Sequence, residues 1–316
     1  MKFEVLILGC GAAAPNGRNL PSAQHINLRE NYLLVDCGEG TQLQLRRYNV
    51  KFQRISHIFI SHLHGDHYLG LMGLLSSMHL LGRRTPLVVY SPAGLEEIIR
   101  LQMKISESYF EFPLEFVVLP CDEERLIVSE SAFEVRSFPL RHRLKCSGFL
   151  FTEKPLLPNI SKDMIRELKL SIEEILQLKH GNTIVNREGR VIEPQHVLLP
   201  SQETRSYAYC SDTMEWENIV PSICNVSLLY HESTFLESES KRSVETWHST
   251  ASGAARIASK AAVKMLMLGH YSARYGNLNC FLDEAIEIFP NVVLAEEGKT
   301  IELQHFDFKT LFRSEG

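Results

Sequence analysis

Directly after the apolar run HIFI (57–60) the chain reads SHLHGDH, which sets His62, His64, Asp66 and His67 within six residues. No other feature restricts the fold so tightly. Leaving an extended segment, side chains at i and i+2 face the same way, so His62 and His64 form one pair. Gly65 is expected to permit a sharp turn that aims Asp66 and His67 beside them. Neutral imidazole and carboxylate suit Zn²⁺ and other borderline divalent ions. Four donors this close overfill a single tetrahedral site that must also keep a position open. Two ions about 3.5–4 Å apart, sharing a bridging carboxylate, accommodate them better. Further ligands must then arrive from other strand ends.

Strand-like runs recur along the chain: FEVLIL (3–8), NYLLVD (31–36), ISHIFIS (55–61), PLVVYS (86–91), LEFVVLP (114–120), FEVRSF (133–138), SYAYCS (206–211), VSLLYHE (226–232), KMLMLGH (264–270) and NVVLAEE (291–297). Helix-period segments lie between several of them, at 69–82, 93–106, 250–263 and 279–289. Strands mixed with helices throughout indicate an α/β fold. Near-continuous apolar strands indicate sheets covered on their faces. Three later runs lead to coordinating residues: His142 in PLRHR, Asp212 in YCSDT and His270 in LGHYSAR. Any one alone reads as an ordinary polar residue. Three in the same context as SHLHGDH read as the rest of a metal centre.

Residues 152–196 differ from the rest. They are charged, helical in the middle and broken by Pro155, Pro158 and Pro194, and read as an inserted arm. GCGAAA (9–14) follows a strand and matches a dinucleotide fingerprint, but Pro15 follows at once and no helix N-terminus is offered to a pyrophosphate. A glycine-rich turn shaping a loop fits better.

A protein that lives on non-specific nucleic-acid affinity is usually basic, and at a net charge of −5 a polyanionic partner must be met by bound cations or a local patch. Arm residues Lys162, Arg166, Lys169, Lys179, Arg187 and Arg190 are candidates for such a patch, interspersed with Glu167, Glu173 and Glu174. The seven cysteines are odd in number, scattered and without a C-x-x-C pair, which argues against a disulfide framework and a thiolate zinc site. No segment approaches the roughly 18–20 apolar residues of a membrane span. MKFEVLILGCG reads as a first strand and not as a signal peptide, so the expectation is a cytoplasmic protein with no membrane partner.

Taken together the motifs resemble the metallo-β-lactamase superfamily and, within it, the ribonuclease Z family of tRNA 3′-processing endonucleases. SHLHGDHYLGL is similar to the superfamily's second motif, PLRHR to the third, YCSDT to the fourth and LGHYSARY to the fifth. HEST (231–234) resembles the HEAT motif of ribonuclease Z, and HSTA (248–251) carries the histidine associated with it. The resemblance covers nearly the whole chain. It implies an αββα sandwich forming a single domain over 1–316, with 152–196 as a protruding tRNA exosite.

It also implies two Zn²⁺ ions per subunit. His62, His64 and His142 would hold one, Asp66, His67 and His270 the other, with Asp212 bridging. Asp66 would accept a proton from the attacking water. Glu232 and His248 would protonate the departing 3′ oxygen, and Arg274 is a candidate to hold a phosphate oxygen. The substrate would be pre-tRNA, bound by a homodimer whose arm reaches across to the other subunit's site. The family's loop after the first strand often reads P-x-K-x-R-N and is linked to treatment of a 3′ CCA end. Here it is PNGRN (15–19), one residue shorter and without the lysine. Two other classes compete: a hydrolase of this fold acting on small phosphodiesters or thioesters, and an RNA-binding scaffold with degenerate ligands. HEST, HSTA and the arm favour the endoribonuclease over the first, and the complete ligand set disfavours the second.

Overall fold

In the computed structural model the described residues are 1–15, 19–200 and 203–304; residues 16–18 of the PNGRN loop lie outside them. In chain order the strands are β1 (Phe3–Gly9), β2 (Ala23–Leu28), β3 (Asn31–Val35), β4 (Ile55–Phe59), β5 (Leu87–Ser91), β6 (Leu114–Val118), β7 (Arg125–Ser129), β8 (Phe133–Leu140), β9 (Cys146–Glu153), β10 (Ile184–Val185), β11 (Val191–Ile192), β12 (Ser206–Cys210), β13 (Leu228–Glu232), β14 (Leu266–Gly269), β15 (Val292–Leu294) and β16 (Thr300–Glu302). They divide between two compact units, Met1–Glu153 with Arg205–Gln304 and the inserted Lys154–Thr204.

The larger unit holds two seven-stranded sheets, ordered β16-β1-β2-β3-β4-β5-β6 and β15-β14-β13-β12-β9-β8-β7. Their inner faces share one core, in which Phe3, Val5, Ile26 and Phe59 meet Phe149, Phe151 and Tyr207. The Phe59 ring lies 5.4 Å from Phe149 and 5.3 Å from Phe151, so aromatic packing bridges the sheets. Helices Leu71–Leu80 and Leu95–Ile105 lay Leu74, Leu75, Met78 and Ile99 on the outer face of the first sheet, against Leu34, Ile58 and Val89. Helices Ala251–Lys260 and Asn279–Ile286 cover the second sheet with small or planar side chains, Ala254, Ala258, Phe281 and Ala285. The layers are therefore helix, sheet, sheet, helix, as the family resemblance implies.

Strand direction decides where chemistry can gather. β12, β13, β14 and β15 run parallel. β9 is antiparallel to both β8 and β12, so β8 points the same way as β12. The carboxyl ends of β8, β12, β13 and β14 thus share one edge, the place where α/β sheets collect functional loops.

Several elements depart from the sequence reading. AQHINL forms β2 although three of its six residues, Gln24, His25 and Asn27, are polar and the apolar ones do not alternate; all six are buried, with the Tyr207 hydroxyl donating to Gln24. RLIVS, CSGFLFTE and TIE form β7, β9 and β16, and TQLQLRR a helix. The G-x-G stretch is the loop expected: a Cβ at Gly9 would lie 1.9 Å from the Pro21 carbonyl oxygen, so this backbone approach admits only glycine. At Gly65 no left-handed turn is needed. Gly65–Tyr68 is one helical turn that itself swings Asp66 and His67 round.

A buried ion network ties β9 to the backbone at Met1 and Leu303. Glu153 accepts from Arg205 Nε at 2.9 Å and pairs with Arg29 at 2.8 Å. Arg205 also donates to the carbonyls of Leu303 and Met1, both at 3.0 Å. Removing one partner of a buried pair leaves a charge and several acceptors unsatisfied. Arg205→Met is expected to cost about 3 kcal/mol, near the low end for such pairs because Arg29 still meets Glu153. Urea unfolding monitored by fluorescence checks this; an unchanged midpoint would show the network to be decorative.

The smaller unit has a core of its own, Ile160, Leu170, Leu178, Ile184, Ile192 and Val197. Ser161 caps helix Lys162–Glu167, and a capping box of Ser171 with Glu174 starts helix Ile172–Lys179. The expected helical middle is therefore present. Beyond it, TIVNREGRVI makes the β10–β11 hairpin, whose turn is held by Asn186 Oδ1 accepting from the amides of Glu188 and Arg190.

Candidate active site

The residues singled out in the sequence converge. His62 and His64 leave β4, His142 leaves β8, Asp212 leaves β12 and His270 leaves β14. Ligand atoms of His62, His64, His142 and Asp212 all lie within 4.8 Å of one another, and so do those of Asp66, His67 and His270. His62 Nε2 is 3.0 Å from His64 Nδ1, which is 3.2 Å from His142 Nε2. Asp212 faces both sets, Oδ2 lying 3.5 Å from His62 Nε2 and Oδ1 3.4 Å and 3.2 Å from His67 Nε2 and His270 Nε2.

These contacts are wrong for a hydrogen-bonded core and right for cations. His67 Nε2, His270 Nε2 and Asp212 Oδ1 are buried and have no hydrogen-bond partner, a costly state unless another group satisfies them. Burial, aided by His67, lowers His62 to about 4, keeping its imidazole neutral and its lone pair available. Burial opposes charge on Asp66 and Asp212, yet the surrounding imidazoles hold both well below the usual carboxylate range. His67, also resisted by burial, is pulled towards its protonated form by Asp212, Asp36 and Asp66. Three carboxylates thus demand positive charge at this point. The donor set fits borderline divalent metal ions.

Orienting groups hold His67, His142 and Asp66. His67 Nδ1 meets Asp36 Oδ2 at 2.8 Å, and Asp36 also accepts from Ser61 N and the Tyr209 hydroxyl. His142 Nδ1 donates to the Trp247 carbonyl at 2.9 Å, and Ala13 N donates to Asp66 Oδ2 at 2.8 Å. Ala13, Asp36, Trp247 and His270 all have positive φ without being glycine, the kind of backbone strain that gathers at functional sites. Asp36 was missed as a site residue. Its signal was available, since NYLLVD ends a strand in a coordinating side chain as the other segments do.

Glu232, at the end of β13, is fully buried. Its Oε1 accepts from His248 Nδ1 at 2.8 Å, Thr213 N at 3.1 Å and Ser249 N at 3.0 Å; its Oε2 accepts from Thr234 N and Oγ1. Burial works against a charged His248, but the Glu232 carboxylate outweighs it and raises the imidazole to about 9. Ligand atoms of Asp212, His248 and His270 also fall within 4.8 Å of one another. His248 borders a cavity of about 750 Å³ that is lined in addition by His64, Asp66, Asp212, His270 and Arg274. Arg274 lies over the Phe235 ring at 5.3 Å and pairs with Glu239 at 3.3 Å, so its guanidinium is already held at the rim.

Comparison with known proteins adds a second, independent line. Residues 3–185 match the sequence family described as Anti-Pycsar protein Apyc1. The chain is 44% identical to ribonuclease Z of Bacteroides fragilis over 302 residues, covering 96% of this chain and 99% of the relative. It is 45% identical to ribonuclease Z of Bacteroides thetaiotaomicron over 305 residues, 96% of each. Among solved structures, human tRNase Z, short form (ELAC1), superposes with a TM-score of 0.68 at 26% identity, covering 95% of this chain and 99% of that one. The Apyc1 match ends before Asp212, Glu232, His248 and His270, whereas the ribonuclease Z relatives span them.

Proposed function

The chain belongs to the ribonuclease Z family, and through residues 3–185 to the Apyc1 family as well; on that premise we propose that it is a zinc-dependent endoribonuclease cutting pre-tRNA on the 3′ side, leaving a 3′-hydroxyl on the tRNA and a 5′-phosphate on the trailer. The observation that carries the reading is the convergence of His62, His64, His142, Asp66, His67, His270 and Asp212, with three buried ligand atoms left unpartnered by the protein. Hydrolase chemistry follows from the family.

His62, His64 and His142 would hold one ion, Asp66, His67 and His270 the second, and Asp212 both. Ions bound there supply acidification of water and neutralisation of phosphoryl charge. The protein's own groups do the rest. Asp66, fixed by Ala13 N, takes the proton of the attacking water. His248, held by Glu232 through Nδ1, gives a proton from Nε2 to the departing 3′ oxygen. Glu232 stays ionised because five donors converge on it. The cavity beside His248 receives the scissile junction.

The segment 152–196 is the exosite of this reading, and the active form is a homodimer. Among the described residues no helix is long and apolar enough to cross a membrane, and all seven cysteines are free; we place the protein in the cytoplasm. Purified without chelator, it is expected to carry about two zinc ions per chain. Elemental analysis finding one ion at full activity would refute the paired site. The activity is tested by offering unprocessed pre-tRNA beside a chromogenic phosphodiester, with and without chelator. Cleavage of the small ester alone would favour the small-substrate hydrolase.

A further inference from the structure

One hydroxyl lies between the acid pair and the ligand set. Thr234 Oγ1, nearly fully buried, is 2.8 Å from Glu232 Oε2, 2.9 Å from His270 Nδ1 and 3.2 Å from His248 Nδ1. A hydroxyl has one proton to give and lone pairs with which to accept. An ionised carboxylate only accepts, so the Thr234 proton goes to Glu232. The His248 Nδ1 proton goes to the closer Glu232 Oε1 at 2.8 Å. What remains on Thr234 is a lone pair facing His270 Nδ1. That nitrogen must therefore carry the hydrogen, which leaves His270 Nε2 bare. His270 Nε2 is the atom that lacks a hydrogen-bond partner and lies 3.2 Å from Asp212 Oδ1 and 3.5 Å from Asp66 Oδ2.

We propose that Thr234 is a positioning residue that fixes the metal-binding tautomer of His270, so that the single carboxylate of Glu232 orients both the acid His248 and, through this hydroxyl, one ligand of the second ion. The inference rests on the paired-metal reading above. Partners that set a ligand histidine's tautomer typically govern metal affinity by about 10–100-fold. Only the set of Asp66, His67 and His270 is addressed in this way. The first set contains His142, whose Nδ1 is tied to the Trp247 carbonyl.

The test is zinc affinity, read by competition with a chromogenic chelator on purified full-length protein. Thr234→Val keeps the side-chain shape and removes the hydroxyl, and Thr234→Ser keeps the hydroxyl. Valine is expected to weaken one ion by about tenfold or more and leave the other unchanged, with serine restoring both. Melting of the chelator-treated proteins should be alike for the three. Unchanged affinities in the valine variant would overturn the inference while leaving the metal reading intact. Equal weakening of both ions with a lowered melting temperature would reduce Thr234 to a packing role. A wild-type chain that bound no zinc would overturn the metal reading itself.

Discussion

Replacing residues 155–203, the arm expected at 152–196 redrawn to the compact unit Lys154–Thr204, by a short Gly/Ser linker is expected to abolish pre-tRNA cleavage while sparing hydrolysis of a small phosphodiester. The removed segment carries its own core of Ile160, Leu170, Leu178, Ile184, Ile192 and Val197. Its chain ends are also close. Glu153 N donates to the Arg205 carbonyl at 3.1 Å across neighbouring strands β9 and β12, and a few residues can join them. All seven proposed ligands and both members of the acid pair lie outside the segment, so the reacting groups should survive. A small ester needs little beyond them. A tRNA needs remote contacts to bring its 3′ junction into place, and such binding energy can be lost without touching the chemistry. Solution mass measured alongside separates loss of the exosite from loss of the dimer. Normal processing by a truncated, still dimeric protein would show that the arm is no exosite.

The second large effect is expected at His248. Loss of a positioned general acid typically slows a reaction by about 10²–10⁴-fold, and His248→Ala should do so on pre-tRNA. The fold has reason to tolerate the change. Glu232 keeps the amides of Thr213, Ser249 and Thr234 and the Thr234 hydroxyl as donors. An ester with a nitrophenolate leaving group departs without protonation and should be nearly unaffected. Equal losses on both substrates would remove His248 from the acid role. Because His248 also approaches Asp212 and His270 within 4.8 Å, metal content decides the remaining alternative: it should stay at the wild-type level, and a fall would make His248 a ligand.

Much of this site was legible because strand-end chemistry leaves short, local signals. SHLHGDH, PLRHR, YCSDT and LGHYSAR each place the coordinating residue where a strand stops; the last three follow β8, β12 and β14, which run the same way in one sheet, and SHLHGDH follows β4 of the other. Asp36 obeys the same rule in NYLLVD and so carried the same local signal, but it acts by orienting the ligand His67 and belongs to no cluster of coordinating residues, so on its own it reads as an ordinary turn residue. The Ala13 amide and the Trp247 carbonyl left no side-chain signal at all. The α/β class and the covered sheets were legible from apolar runs and the layer order from the family resemblance, whereas β2 was not legible. Its Gln24, His25 and Asn27 break the apolar pattern, and their burial is offset by partners that the sequence does not place beside them, the Tyr207 hydroxyl for Gln24 and the Glu4 carboxylate for Asn27. The β10–β11 hairpin has two-residue strands inside a charged stretch, too short for an apolar pattern, and its one signal is local: Asn186 closing the turn through the amides of Glu188 and Arg190.

The central claim is tested most directly by mapping both ends of the cut in an unprocessed pre-tRNA incubated with the purified protein. The account predicts a single break on the 3′ side of the tRNA, a free 3′-hydroxyl on the tRNA fragment and a 5′-phosphate on the trailer. Cleavage should be lost with chelator and regained on adding zinc. A cut that persists in chelator, or one leaving a phosphate on the tRNA's 3′ end, would contradict it.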